Sequence, residues 1–293
     1  MKTLLVPTLN EDEPSAGQLC RLWQEAGGDG VEVRFDFSQC KFLRQNAVAF
    51  LGGLARLVEY RGGRVELAWN TLADKVGKNL AQNGFMHAFG VEQGPWSGNS
   101  IPYRQDAASN PRGFQDYLAH QWLGRGWIGV SDALRDAVVG RVVEAYLNVF
   151  DHAKSPIGLF TCGQHFPNNH TLNLSMIDFG VGIPSNVRLF MANQCRPEDL
   201  PADKCMEWAF QTGTSTKPGT GRGLGLDLLR AFVQQNKGRL EMFSHEGYAL
   251  VTGERARFSE RPSYFEGTLV NISLRCDERF YCLASELSNE PLF

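Results

Sequence analysis

Hydrophobic and polar residues follow two different periods along the first third of the chain. Residues 31–37 alternate Val and Phe with Glu, Arg and Asp, which predicts a strand with one buried face. Apolar residues over 44–60 recur at helical spacing, and two glycines follow as a helix stop. Further strands are predicted at 2–9 and 64–69, and further helices at 15–26 and 71–83. This alternation of strand and helix predicts a small α/β domain over residues 1–92.

Glycine and proline interrupt the pattern between residues 93 and 112, which predicts a linker. Residues 113–293 then form a second predicted domain. Its helices are predicted at 113–123, 131–152, 185–192, 203–211 and 224–236, and its strands at 156–164, 170–178, 239–244, 248–252 and 267–275. The chain is therefore predicted to be an α/β protein of two domains.

Composition and charge narrow the class of partner. The 293 residues are 43% hydrophobic and 21% charged, which is ordinary for a globular protein and excludes a disordered chain. The formal net charge is −3 and is shared evenly between the two predicted domains. Because there is no basic half or basic tail, no nucleic-acid partner is expected.

Three features point to a cytoplasmic protein. No apolar run approaches the roughly 18 residues of a membrane span, so no membrane association is expected. The apolar run at the N-terminus is too short for a signal peptide. The seven cysteines lack the spacing of a disulfide framework and are expected to be reduced thiols.

Cys162, His165 and His170 come nearest to a metal-binding motif. They flank a Pro-Asn-Asn turn signal, and the second ligand pair that a structural zinc site needs is missing. Two paired strands that happen to carry these side chains are therefore the favoured interpretation.

One predicted helix carries side chains suited to chemistry. Glu144, Asn148 and His152 recur every four residues and so share one helix face. An amide oxygen is a good ligand for a hard metal ion, and a carboxylate can take a proton from water. A solvated helix face would carry the same residues, and for this helix alone that is the more common explanation.

The segment 176–184 places an acid before two glycines. Asp178 leaves a predicted strand and is followed by Gly180 and Gly182. Glycines let a backbone approach a flat ligand closely, and the aspartate can accept a hydrogen bond from an amino group such as that of adenine. A strand followed by an ordinary tight turn is the alternative.

The segment 213–226 contains five glycines together with Lys217 and Arg222, and it runs straight into a predicted helix. Backbone N–H groups at a helix N-terminus bind phosphate. The spacing matches neither a Walker A loop nor a Rossmann fingerprint. A flexible surface loop is the alternative.

In content and order, the three segments resemble the GHKL ATPases, which include gyrase B, the ninety-kilodalton heat-shock chaperone, histidine kinases and MutL. ExxxNxxxH is the N box of that family, DxGxG its first glycine box and GxGxGL its second, which an ATP lid precedes. The strings NKGRLEMFSHEG and GTLVNISL resemble the strands that follow, so the match covers about residues 130–276. The resemblance implies a Bergerat-type α/β sandwich over 113–293, a mixed sheet with helices on one face, that binds ATP and Mg²⁺.

The resemblance also implies a role for each matching residue. Glu144 would orient or deprotonate the attacking water, Asn148 would hold Mg²⁺, and His152 would be structural. Asp178 would recognise the adenine amino group, and Thr268 would reach the adenine site through water. The other matches would contact the nucleotide: Gly180 and Gly182 by clearance, Lys217 and Arg222 by charge, and Gly221, Gly223, Leu224 and Gly225 as the phosphate cradle.

Residues 1–92 resemble a STAS domain (sulfate transporter and anti-sigma antagonist) in their order of strand, loop, helix with small residues, Arg-Gly-Gly and strand. STAS antagonists carry Asp-Ser-Ser-Gly at the start of that helix, and the second serine accepts phosphate. Arg44-Gln45-Asn46-Ala47 stands here instead. The phosphorylation switch is therefore expected to be absent, and the domain is expected to dock a regulatory protein or to form a homodimer.

Three functions remain open. The first is an ATPase in which closure of the lid changes a regulatory protein interaction. The second is a protein serine kinase of the anti-sigma type that phosphorylates a separate STAS antagonist. The third is an ATP-sensing module without activity, which the presence of Glu144 disfavours because a pure binder needs no such carboxylate.

Overall fold

The first part of the chain forms a three-stranded parallel sheet in the order β1-β2-β3. The computed structural model describes residues 1–91, 98–193, 199–211, 226–253 and 255–287. The strands are β1 (Lys2–Leu5), β2 (Glu32–Asp36) and β3 (Arg64–Ala68), and the helices are α1 (Glu13–Glu25), α2 (Gln45–Tyr60), α3 (Asp74–Gln82) and α4 (Phe85–Ala88). Parallel strands need crossover connections, which α1 and α2 supply. The predicted alternation of strand and helix is confirmed.

The rest of the described chain builds a seven-stranded sheet in the order β10-β9-β8-β11-β7-β6-β4. Its strands are β4 (Ser100–Asp106), β6 (Leu159–Phe166), β7 (Thr171–Asp178), β8 (Arg239–Ser244), β9 (Gly247–Thr252), β10 (Arg255–Glu260) and β11 (Thr268–Arg275). A separate parallel pair joins β5 (Gly129–Val130) to β12 (Phe280–Tyr281).

In the described part of the chain, six helices accompany this sheet: α5 (Pro111–Tyr117), α6 (Asp132–Asn148), α7 (Gly182–Ala192), α8 (Ala202–Ala209), α9 (Leu226–Gln235) and α10 (Ala284–Leu287). Wider π-type turns continue α5 over Leu118–Trp122 and α6 over Val149–Ala153. Ser131 caps α6, since its hydroxyl accepts a hydrogen bond from the Leu134 N–H at 3.1 Å. Over the described residues, no helix is both long enough and apolar enough to cross a membrane.

Neighbouring strands of the large sheet are antiparallel at all six described pairings. The mixed sheet that the resemblance implied for this half of the chain is therefore wrong for the described pairings. Parallel pairing is confined, among the described strands, to the small sheet and the β5–β12 pair. The physical reason is the length of the connections, because β6 and β7 are joined by only Pro167–Asn169 and its flanking residue.

Part of the predicted linker is a strand of the large sheet. β4 lies inside 93–112 and pairs with β6 at the edge of the sheet, with a register shift between Ile101 and Arg104. Pro102 sits at this irregularity, where an edge strand tolerates a residue without an N–H group. The part of the segment that forms β4 therefore belongs to the second half of the protein.

Both faces of the large sheet are covered. One face packs against α5, α6 and α9 in an apolar core. On the other face, Phe160, Ile177 and Leu269 share a core with α2 and the three-stranded sheet. The helices α5, α6 and α9 therefore share one face, in agreement with the arrangement that the resemblance implied for residues 113–293. The other face is covered by α2, which belongs to residues 1–92 and lies between the two sheets, so the two halves of the chain share a continuous core.

Two adjacent glycines let α2 approach the large sheet closely. A Cβ atom on Gly53 would lie 2.2 Å from a ring carbon of Phe179 and 2.8 Å from one of Phe160. A Cβ atom on Gly52 would lie 2.0 Å from the Tyr103 hydroxyl. Glycine inside a helix is less favourable than alanine by roughly 1 kcal/mol. The close packing of α2 on the sheet offsets this cost in helix stability.

The carboxylate of the half-buried Glu11 joins the two halves beside this apolar contact. Glu11 accepts hydrogen bonds from the Gln45 side chain at the start of α2 and from the Asn173 side chain of β7, the latter at 2.6 Å. Burial raises the pKa of Glu11, and the charge of Arg44 opposes this effect. With both oxygens hydrogen-bonded, the carboxylate holds the start of α2 against the sheet.

Candidate functional site

The end of β7 carries a buried acid, Asp178. Its side chain is 3% exposed, and its Oδ1 atom accepts a hydrogen bond from the Gly180 N–H at 2.9 Å. Burial raises the pKa of Asp178 to about 7, although the Gly180 N–H and Thr268 stabilise the charged form. Thr268 is its partner across the β7–β11 pairing. A carboxyl group is costly to ionise in such surroundings, and groups of this kind concentrate at functional sites.

The turn that follows β7 contacts the extension of α6. The Val181 N–H donates to the Ala153 carbonyl at 2.7 Å, and the side chain of Asn186 donates to the His152 carbonyl at 3.2 Å. A Cβ atom on Gly180 would lie 2.0 Å from the same Ala153 oxygen. The structure thus brings the predicted N box and the predicted first glycine box into direct contact.

Protein contacts explain both glycines of this turn. Gly180 has to accommodate the Ala153 carbonyl. Gly182 has a φ of 73°, and a Cβ atom there would lie 2.7 Å from the ring of His245. Where the resemblance implies clearance for a nucleotide, the described residues supply another reason for glycine at these two positions.

Ser244 and His245, at the turn between β8 and β9, complete the surroundings of Asp178. The Ser244 hydroxyl donates to the Gly267 carbonyl at 2.6 Å and accepts from the Ile183 N–H at 2.9 Å. It also lies 3.3 Å from the Thr268 hydroxyl. The sequence pattern does not single out either residue, because Ser-His-Glu-Gly after a strand indicates a turn without indicating what the turn contacts.

Glu144 and Asn148 lie on the last turns of α6 and are half-buried, as is His152 in its extension. Glu144 accepts a hydrogen bond from Arg141 at 2.8 Å in an ion pair whose side chains are 35% and 43% exposed. From the helical rise, Asn148 lies roughly 7 Å and Glu144 roughly 13 Å before Ala153 along the axis. Glu144, Asn148 and His152 form the polar row of α6. Along the helix axis, Asn148 and then Glu144 lie progressively farther from the contact with the Asp178 turn, a spacing that suits an elongated ligand.

The predicted phosphate cradle lies outside the described residues. This concerns six of the predicted site residues: Lys217, Gly221, Arg222, Gly223, Leu224 and Gly225. The helix α9 follows that segment directly and packs against α6. The roles that the resemblance implies for these six residues stay predictions.

Packing accounts for Cys162 and His165 of the β6–β7 hairpin, whereas His170 is an exposed turn residue. Cys162 is buried, and burial raises the pKa of its thiol. The ring of His165 stacks on Trp127 with centroids 4.7 Å apart, and His170 adopts a left-handed conformation at the turn. The predicted paired strands are confirmed. Within the described ranges, no group of three His, Cys, Asp or Glu side chains is arranged to hold a metal ion.

Comparison with known proteins gives no match: neither a protein-family model nor a curated protein is significantly similar to the chain.

Proposed function

We propose that the chain is a GHKL-type protein that binds ATP with Mg²⁺, hydrolyses it, and couples nucleotide binding to a regulatory protein interaction. The observation that carries the proposal is the buried carboxyl of Asp178, held at the end of β7 opposite Thr268. The proposal includes the STAS-like character of residues 1–92 and the Bergerat-type character of the larger half.

The groups around Asp178 suit an adenine base. The ionised carboxylate is an acceptor, whereas the Thr268 hydroxyl can both donate and accept. Burial disfavours the charged form although the Gly180 N–H and Thr268 stabilise it, so a further donor such as an exocyclic amino group would stabilise the carboxylate. A base without an amino group would not supply this additional donor, which provides discrimination.

The polar row of α6 suits the other end of the nucleotide. When bound, Mg²⁺ would offset the phosphate charge, and the Asn148 side-chain oxygen would be its protein ligand. Glu144 would accept a proton from the water that attacks the terminal phosphate. Its ion pair with Arg141 is partly exposed and contributes at most about 1 kcal/mol, so the carboxylate is free to change partner.

An aromatic contact supports coupling to the N-terminal half. Phe179 follows Asp178 directly, and its ring centroid lies 5.5 Å from that of Phe50 on α2 and 5.3 Å from that of Phe265. A change in the turn when nucleotide binds would therefore alter the packing of Phe179 against α2. Since α2 belongs to the STAS-like half, this route would connect the nucleotide to a regulatory protein partner or a homodimer contact.

The Glu144→Gln variant tests the proposed hydrolysis. It should lower the rate of phosphate release by about 100-fold or more, because general base catalysis contributes roughly that much. It should leave ATP affinity within a few-fold of the wild type. The measurements are a phosphate-release assay with ATP and Mg²⁺ and a titration with a fluorescent ATP analogue.

Glu207→Gln is a matched control for this variant. Glu207 forms the same kind of ion pair, with Lys204 three residues earlier and at 2.9 Å, on α8. Its replacement should change neither release nor binding. If Glu144→Gln hydrolyses ATP as the wild type does, the assigned base is wrong. Binding without release in the wild type would identify a sensing module, and transfer of labelled phosphate to an added STAS protein would identify a kinase.

A further inference from the structure

His245 occupies a backbone conformation that its residue type rarely adopts. Its φ is 54°, in the left-handed region, and its side chain is 6% exposed at the turn between β8 and β9. Residues other than glycine adopt this conformation at a free-energy cost, and such positions cluster where the surrounding structure uses the side chain. The contacts of the buried ring are therefore expected to maintain this conformation.

The imidazole ring reaches the glycine turn that follows Asp178. Its Nε2 atom lies 2.9 Å from the Val181 carbonyl oxygen, and since a carbonyl only accepts, Nε2 carries the hydrogen. The missing Cβ of Gly182 leaves the space that the ring occupies, because an added Cβ would lie 2.7 Å from Cδ2 and Nε2. The glycine and the histidine are therefore complementary in shape.

The backbone around His245 is tied to the other side of the same site. Its N–H donates to the Phe265 carbonyl at 3.0 Å, and its ring lies 5.1 Å from that of Tyr264. The preceding residue, Ser244, holds the Ile183 N–H at the start of α7. The β8–β9 turn thus contacts both chain segments that flank the Asp178 carboxyl, namely the glycine turn and the residues that lead into β11.

We propose that His245 is a positioning residue, which fixes the 179–182 turn through the Val181 carbonyl and so presents Asp178 to the adenine base. Gly182 is a glycine because the ring of His245 fills the place of its side chain. The inference rests on the proposed ATP binding for its functional readout. Its structural part, the fixing of the turn, has a readout that needs no nucleotide.

His245→Gly is the informative variant, because glycine adopts a φ of 54° without strain and removes the ring. The midpoint of chemical denaturation should fall, because relief of strain offsets only part of the lost hydrogen bond and of the cavity that the buried ring leaves. The KM for ATP should rise about 3- to 10-fold, as expected for one lost neutral hydrogen bond, with kcat unchanged. A residue that only stabilised the fold would change the denaturation midpoint and leave KM unaltered.

His170→Gly is the matched control, since His170 has a φ of 51° at an exposed hairpin turn away from Asp178. It should leave KM unchanged. Hydrogen exchange provides the readout without nucleotide: the Gly180, Val181 and Ile183 amides, which are hydrogen-bonded in this structure, should exchange faster in His245→Gly and not in His170→Gly.

The possible outcomes separate the inference from the function on which it rests. Faster exchange at the turn together with a raised KM supports both. Faster exchange in a protein that binds no ATP supports the fixing of the turn and overturns the proposed function. Unchanged exchange at these three amides overturns the positioning role of His245, whatever the wild type does with ATP.

Discussion

Replacing Asp178 by asparagine should stabilise the fold above pH 7 and at the same time weaken ATP binding. Asparagine is nearly isosteric, and its oxygen can still accept the Gly180 N–H that Asp178 accepts at 2.9 Å. It removes a buried negative charge, which favours folding by more than the loss of acceptance from Thr268 opposes it. It also replaces an acceptor by an amide N–H₂ group facing a donor, which opposes adenine binding. Opposite effects on stability and binding are typical of a functional group that lowers the free energy of unfolding.

The sign of the pH dependence follows from the direction of the shift. The pKa of Asp178 is raised in the folded state to about 7 by burial. Its contribution to stability is therefore fully present below the unfolded-state pKa, near 3.9, and is lost as the pH rises through about 7. Since one pKa unit corresponds to about 1.4 kcal/mol, the ionised carboxyl destabilises the wild type at pH 8 by a few kcal/mol.

Urea denaturation at pH 5 and pH 8 measures this effect. Asp178→Asn should be more stable than the wild type at pH 8, and the difference should shrink at pH 5. Asp106→Asn is the matched control, because Asp106 is also buried but is paired with Arg104 at 2.6 Å. That variant should be less stable than the wild type at pH 8, since it leaves the guanidinium without its partner.

ATP affinity should fall about 10- to 100-fold in Asp178→Asn, the range for loss of a hydrogen bond to a charged group. It should stay unchanged in Asp106→Asn. In the wild type, adenosine should bind more tightly at pH 8 than at pH 6, because the carboxyl has to lose its proton to accept from the amino group. An Asp178→Asn variant that binds ATP normally would show that the assigned adenine site is wrong.

Replacing Gly53 by valine should destabilise the protein by about 3 kcal/mol or more, at the upper end of the range for overpacked cores. The added Cβ alone would lie 2.2 Å from Phe179. That ring is buried and packs against Phe50, Phe160 and Phe265, so moving it would disturb these contacts. Either α2 separates from the large sheet or Phe179 is displaced with the turn behind it.

Gly140→Val provides the comparison for this variant. Gly140 also lies within a helix, α6, but an added Cβ there meets nothing within 4 Å. Because valine is a slightly better helix former than glycine, its stability should stay within about 0.5 kcal/mol of the wild type. Urea denaturation with intrinsic fluorescence measures both variants. Equal stability of the two would mean that α2 does not depend on close contact with the sheet.

Regular elements with a strong pattern could be predicted from the sequence, and irregular ones could not. The helix predicted at 44–60 is observed as α2, and the strand predicted at 239–244 as β8. The strand β4 escaped prediction because Pro102 interrupts the alternation of apolar and polar residues. The proline is tolerated because it lies at the register shift against β6. The strand β10 also escaped prediction, because its arginines are not typical of a strand. They are tolerated because β10 lies at the edge of the sheet.

The sequence predicted which residues belong to the candidate site, but it did not predict which other side chains and carbonyl groups contact them. Asp178 and Thr268 were expected near one ligand, and the structure pairs them across β7 and β11. The neighbours of Gly180 and Gly182, by contrast, come from distant parts of the chain, the end of α6 and the β8–β9 turn. No local pattern encodes which carbonyl or ring will approach a glycine, because that depends on tertiary packing.

The position of α2 between two sheets has a consequence for synthesis of the chain. Its apolar surface against the large sheet is covered only when β6 and β7 exist. At elongation rates of about 5–20 residues per second, the roughly 120 residues between the end of α2 and the end of β7 take roughly 6–24 s to appear. During that interval the side of α2 that later packs against the large sheet lacks its cover, and transiently exposed apolar surface of this kind makes a nascent chain prone to aggregation and dependent on chaperones.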